Sequence, residues 1–168
     1  QDDLSLDVDN AIKKVLSERL SYLRYISSNY QCENSDIIDY ALQNNIGAIK
    51  YVSNEFKRNN IDILIRILQN DGMLLEFIPD SIQQNFPDLI HIALNQDINS
   101  FEFISEEIKQ NDITLLRRVL RVNGMLLRFI PISIKQNNQD LIDIALEQDI
   151  NALNFVPIRL RTEERILR

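Results

Sequence analysis

The chain has 168 residues, a formal net charge of −7, 45% apolar and 26% charged residues, a balance typical of soluble folded chains rather than disordered ones. Its acidity argues against general binding of nucleic acid or anionic membranes. The single cysteine, Cys32, excludes an intrachain disulfide and fits a reducing compartment, and no run of about 18 apolar residues is present to cross a bilayer.

Residues 1–9 (QDDLSLDVD) read as a short acidic lead-in that frays, and a start at Gln1 rather than Met fits a piece of a longer protein. From residue 10 the chain repeats itself every 26 residues. Residues 62–87 (DILIRILQNDGMLLEFIPDSIQQNFP) and 114–139 (TLLRRVLRVNGMLLRFIPISIKQNNQ) are two versions of one text. Residues 88–113 and 140–165 share a second version, so two flavours alternate. Copies 10–35 and 36–61 complete the array, the first being the most diverged, as expected of a terminal repeat. Residues 166–168 read as the start of a further copy.

Aligning the copies gives columns numbered 1 to 26. Column 1 holds Asn10, Asp36, Asp62, Asp88, Thr114 and Asp140, all suited to cap a helix N-terminus. Columns 2, 3, 6 and 7 are apolar, the spacing of one helix face. Gly72 and Gly124 in column 11 suit a left-handed helix end. A second helix is anchored by columns 14, 16 and 17, column 16 being aromatic throughout: Tyr25, Tyr51, Phe77, Phe103, Phe129 and Phe155. Column 18 is always Ser or Pro, both good helix starters, so a short third segment follows, anchored by column 21. The spacing therefore predicts an all-α fold: an α-solenoid of six 26-residue helical repeats, arranged as pairs, over 10–168.

The pieces INSFEFISEEIKQND (98–112), DLIHIALNQDI (88–98) and RRVLRVNGMLLRFI (117–130) resemble the tandem-repeat domain-of-unknown-function family number four-one-one-six. The resemblance covers 36–165 and more weakly 10–35; Pro at 79, 131 and 157 departs from the family's usual Ser. It implies tandem arrays in proteins of host-associated bacteria and protists, some effector-like, and it carries no catalytic motif.

The residues themselves offer no glycine-rich phosphate loop, nucleophile elbow, HExxH or EF-hand loop. A lone histidine, His91, cannot build an ordinary zinc site. No metal, no cofactor and no enzymatic activity are expected. The one asymmetry is the fifth copy, 114–139, which has no acid and five bases between two acidic copies. Candidate partner-binding residues are Arg117, Arg118, Arg121 and Arg128, extended by Arg66 in column 5 and His91 in column 4. The competing reading is that stacking neutralises them, setting Arg117 near Asp143, Arg121 near Glu147 and Arg128 near Glu102. Ile65, Val122, Ile132 and Ile158, in columns polar elsewhere, form a candidate apolar patch. The leading expectation is a non-enzymatic interaction module presenting an extended surface to a protein or peptide. The alternatives are a structural spacer or targeting region of a larger protein, and nucleic-acid binding through the Arg band, which the overall acidity disfavours. The expected location is cytoplasmic, or the host cytosol for a translocated effector.

Overall fold

The computed structural model describes residues 2–162, with side chains from Val8 onward. Residues 166–168, read above as the start of a further copy, lie outside the described residues. Among the described residues there is no strand. Each copy is an α-helix, a six-residue 3-10 helix and a short closing helix. In chain order the α-helices are α1 (Asp2–Glu18), α2 (Ser28–Glu33), α3 (Ser35–Asn44), α4 (Asn54–Asn59), α5 (Ile61–Asn70) and α6 (Asp80–Asn85). Then come α7 (Asp88–Gln96), α8 (Glu106–Asn111), α9 (Ile113–Val122), α10 (Ile132–Asn137) and α11 (Asp140–Gln148). The 3-10 helices are Leu20–Tyr25, Ile46–Tyr51, Gly72–Phe77, Ile98–Phe103, Gly124–Phe129 and Ile150–Phe155. The sixth copy closes with a 3-10 turn, Ile158–Leu160. The lead-in is helical too: α1 runs back to Asp2, because Val8, Ile12 and Leu16 carry the four-residue apolar spacing past the start of the first copy.

Columns 3, 7 and 14 supply the core: Ile38, Leu42 and Ile49 in the second copy, Leu64, Leu68 and Leu75 in the third, and so on along one continuous apolar cluster. Substantial contacts join only neighbouring copies. The fold is therefore an α-solenoid, in which no copy buries both faces alone. Column 16 departs from expectation: its aromatics are half-buried flank residues rather than core, and Tyr25 is exposed.

Two cap assignments also shift. The long helices start one or two positions before column 1, at Asn34, Asn60, Pro87, Asp112 and Gln139. The column 1 acids Asp36, Asp62, Asp88 and Asp140 sit in the first turn, where the helix dipole favours negative charge. Column 10 caps instead: Asn45, Asp71, Asp97, Asn123 and Asp149 each accept from the N–H two residues on and start the 3-10 helix, while Ser27, Ser53 and Ser105 in column 18 cap the short closing helices and Asp112 caps α9.

Gly72 and Gly124 have no positive φ, so a left-handed helix end is not their role. They allow close approach instead. A Cβ at either would lie 2.3 Å from the carbonyl oxygen of Ala93 or Ala145 in the next copy. Their N–H groups donate to Gln96 Oε1 at 2.6 Å and Gln148 Oε1 at 2.5 Å. At the junctions between pairs Ile46 and Ile98 replace these glycines, and the facing residues are Ile67 and Val119 instead of alanine. Close and wide junctions thus alternate. Helix α1 packs on α3, α5 on α7 and α9 on α11, whereas α3 with α5, and α7 with α9, make no comparable approach. In the second and third pairs the arrangement follows from side-chain volume, glycine against alanine inside the pair and large against large between pairs, whereas in the first pair Leu20 faces Ala41.

Candidate functional site

The candidate residues lie on the long helices, except Arg128 on a 3-10 helix, and acids of neighbouring copies pair with Arg66 and Arg117. Across the wide junctions Arg66 Nη2 donates to Asp39 Oδ1 at 2.8 Å, and Arg118 Nη2 lies 3.2 Å from His91 Nδ1. Across a close junction Arg117 Nε donates to Asp140 Oδ2 at 2.8 Å, just as Lys13 Nζ donates to Asp36 Oδ2 at 2.6 Å. The hydrogen bond from Arg117 thus goes to Asp140, one turn nearer the helix start than Asp143. Arg121 and Glu147 border one groove, Arg128 and Glu102 another, and the Arg128 guanidinium carbon sits 4.3 Å over the Phe129 ring. The hydrogen bond to Asp36 holds the Lys13 ammonium above its ordinary range, and the same bond holds the Asp36 carboxyl below its own. Such exposed pairs each contribute about 0–1 kcal/mol and are screened by salt. The structure thus gathers His91 with Arg118 and leaves Arg66, Arg117, Arg121 and Arg128 spread over several junctions. Among the described residues no three His, Cys, Asp or Glu side chains converge as a metal site.

Of the four candidate apolar residues, Val122, Ile132 and Ile158 are exposed, while Ile65 packs against the core. A larger apolar surface, not anticipated from the sequence, lies on the first copy. Val8, Ile12, Val15, Tyr22, Tyr25 and Ile26 line a groove between α1 and the following 3-10 helix. Its place in the array explains its exposure. Column 6 is buried wherever a preceding copy covers it, in Ala41, Ile67, Ala93, Val119 and Ala145, but Val15 is 45% exposed. Column 13 behaves alike: Ala48, Leu74, Ser100, Leu126 and Ala152 are buried, and Tyr22 is 39% exposed. Tyr25, at 77%, completes the surface, its ring centroid 6.1 Å from that of Tyr22. The groove is the face that, in each later copy, stacks against the copy before it. A signal was present in the sequence, since Val15 and Tyr22 sit in columns that are apolar or small in every other copy.

A second set of residues was also overlooked. Column 22 is polar or basic in every copy, yet Gln31, Lys57, Gln83, Lys109 and Lys135 are all buried. Their polar ends reach main-chain groups: Lys57 Nζ donates to Phe77 O at 2.8 Å and Lys135 Nζ to Phe155 O at 3.0 Å. Burial pushes the Lys57 ammonium down to about 8 and lowers that of Lys135.

Residues 34–83, and again residues 60–109, match the sequence profile of a family described as Domain of unknown function (DUF4116). Over this stretch the chain is DUF4116-like. The two overlapping DUF4116 windows are offset by one copy, so each spans close to two copies, the size of one pair. Both windows open on a helix N-cap, Asn34 or Asn60. No curated protein and no solved structure matches the chain. No helix is long and apolar enough to cross a membrane among the described residues.

Proposed function

We propose that the chain is a non-enzymatic interaction module whose first copy docks a helical protein segment. The observation that carries this reading is the open stacking face, with Val15, Tyr22 and Tyr25 exposed where every other copy buries its counterparts at columns 6 and 13. The partner's chemistry follows from continuity with the stacking inside the chain. The groove is lined by Val8, Ile12, Val15 and Ile26, which an aliphatic surface fits, and inside the chain preceding copies meet column 6 with column 11, as Gly72 meets Ala93. They also meet the basic column 5 residue with a polar one, as Asp39 meets Arg66. Lys14 holds column 5 on the first copy, so the fitting partner is aliphatic with an acidic residue placed to reach Lys14. The Arg band, with Arg117 paired to Asp140 and Arg118 against His91, is the weaker candidate for a docking face.

A photo-reactive phenylalanine analogue at position 25, and another at position 118, tests the reading. A discrete protein adduct from position 25 that Val15→Asp abolishes is the expected result. An adduct from position 118 alone transfers the site to the Arg/His band. No adduct from either position, in extracts of the native source, rejects the module.

A further inference from the structure

Column 22 and column 18 vary together. At the first junction Gln31 faces Ser53, and at the third Gln83 faces Ser105. At the others Lys57 precedes Pro79, Lys109 precedes Pro131 and Lys135 precedes Pro157. No junction breaks the pattern. The reason lies in the donors and acceptors each side chain offers.

The amide of glutamine does two things at once. Gln83 Nε2 donates to Ile78 O in its own copy and to Phe103 O in the next, both at 3.0 Å, while its Oε1 accepts from Ser105 N–H at 3.1 Å. Gln31 likewise donates to Ile26 O at 3.0 Å and accepts from Ser53 N–H at 2.8 Å. A proline in column 18 has no N–H to give. A glutamine before it would carry a buried amide oxygen with nothing to accept, an uncompensated desolvation. Lysine is donor-only, so it satisfies a carbonyl and leaves no orphaned acceptor. Lys57 and Lys135 cross to the next copy's column 16 carbonyl, while Lys109 turns to Glu102 O at 3.2 Å and Glu106 Oε1 at 3.4 Å in its own copy. Backbone conformation does not force the choice. Ser105 has φ −57° and ψ 145°, and Pro79 has φ −55° and ψ 145°, so either residue fits either place.

We propose that column 22 reads column 18 of the next copy and so determines which repeat can follow which: a glutamine copy accepts a serine copy, and a lysine copy accepts a proline copy. The rule is independent of the docking reading. One consequence does rest on that reading: Ser27 holds column 18 on the open face, so the partner that completes it offers an amide rather than an ammonium.

Urea unfolding of the full chain tests the rule through Lys57→Gln, Pro79→Ser and the two combined. The combination should unfold at a higher midpoint than the two single effects added together predict, because the new amide oxygen then meets the new N–H. Effects that simply add overturn the proposal. The mirror cycle, Gln83→Lys with Ser105→Pro, carries the same expectation. A measurement without variants guards against misfolding. The Ser53 and Ser105 amides of the native chain should exchange with deuterium at least tenfold more slowly than the Ser27 amide, and equal rates overturn the rule.

Discussion

A lysine ammonium buried against one carbonyl is costly, and Lys57 shows the cost as a titration. Its pKa falls from an ordinary 10.5 to about 8 because burial disfavours the charged form. Below pH 8 both the folded and unfolded chains hold the proton, and the folded state bears the whole penalty. Between about 8 and 10.5 the unfolded chain still holds the proton that the folded chain has released, so stability rises with pH. Above 10.5 the penalty is gone. The check is the urea midpoint of wild type and Lys57→Met across that window. Wild type should gain on the variant as pH rises, while Lys135 contributes equally to both. A constant difference would show that the Lys57 ammonium is not desolvated. This residue was legible in the sequence only as a column of Gln, Lys and Arg beside an apolar one. Residue type alone reads as solvated surface, and only the 3.6-residue geometry of the closing helix turns the column inward, as it does for Phe56 and Lys57 side by side.

The 3-10 segments show how an element's identity is set by its first residue. Column 10 ends one helix and begins another: Asp97 leaves α7 in an extended conformation, and its carboxylate accepts from Asn99 N–H at 2.8 Å and Asn99 Nδ2 at 3.0 Å. That pins the turn, and eight residues later column 18 caps a new helix, leaving little length for an α-helix to form. Replacing the cap, Asp97→Ala, should lower unfolding stability by about 1 kcal/mol. Asp88→Ala, which removes only a first-turn charge on α7, should cost a few tenths, near the lower end of the roughly 0.3–1 kcal/mol dipole range. Equal losses in denaturant unfolding would return the capping role to column 1. Short polar residues occur in both columns, and each fits a helix start. Sequence spacing alone could not separate a first-turn acid from a cap one or two positions earlier, so the existence of the elements was readable and their boundaries were not.

At the scale of the array, the repeat period was legible because core columns must recur when copies stack, and Leu16, Leu42, Leu68, Leu94, Leu120 and Leu146 do recur. The alternation of flavours was legible too, but its cause was not. Gly72 and Gly124 read as helix terminators until Ala93 and Ala145 are seen across the junction, a relation between residues of different copies. Likewise the open face could not be located before it was known which side of each copy the preceding one covers. The alternation leads to a counter-intuitive deletion experiment. Removing residues 62–113 joins the second copy to the fifth, bringing Ile46 toward Val119 and Lys57 toward Pro131, both combinations native to wide junctions. Removing only residues 88–113 joins the third copy to the fifth, setting Gly72 against Val119 and Gln83 against Pro131, which leaves a void and an unpaired amide oxygen. The shorter protein should therefore unfold cooperatively and at higher urea than the longer one, although array length by itself favours the opposite order. Thermal and urea unfolding of the two deletions decide between these. Greater stability of the single-copy deletion would mean that single copies, not pairs, are the units that stack.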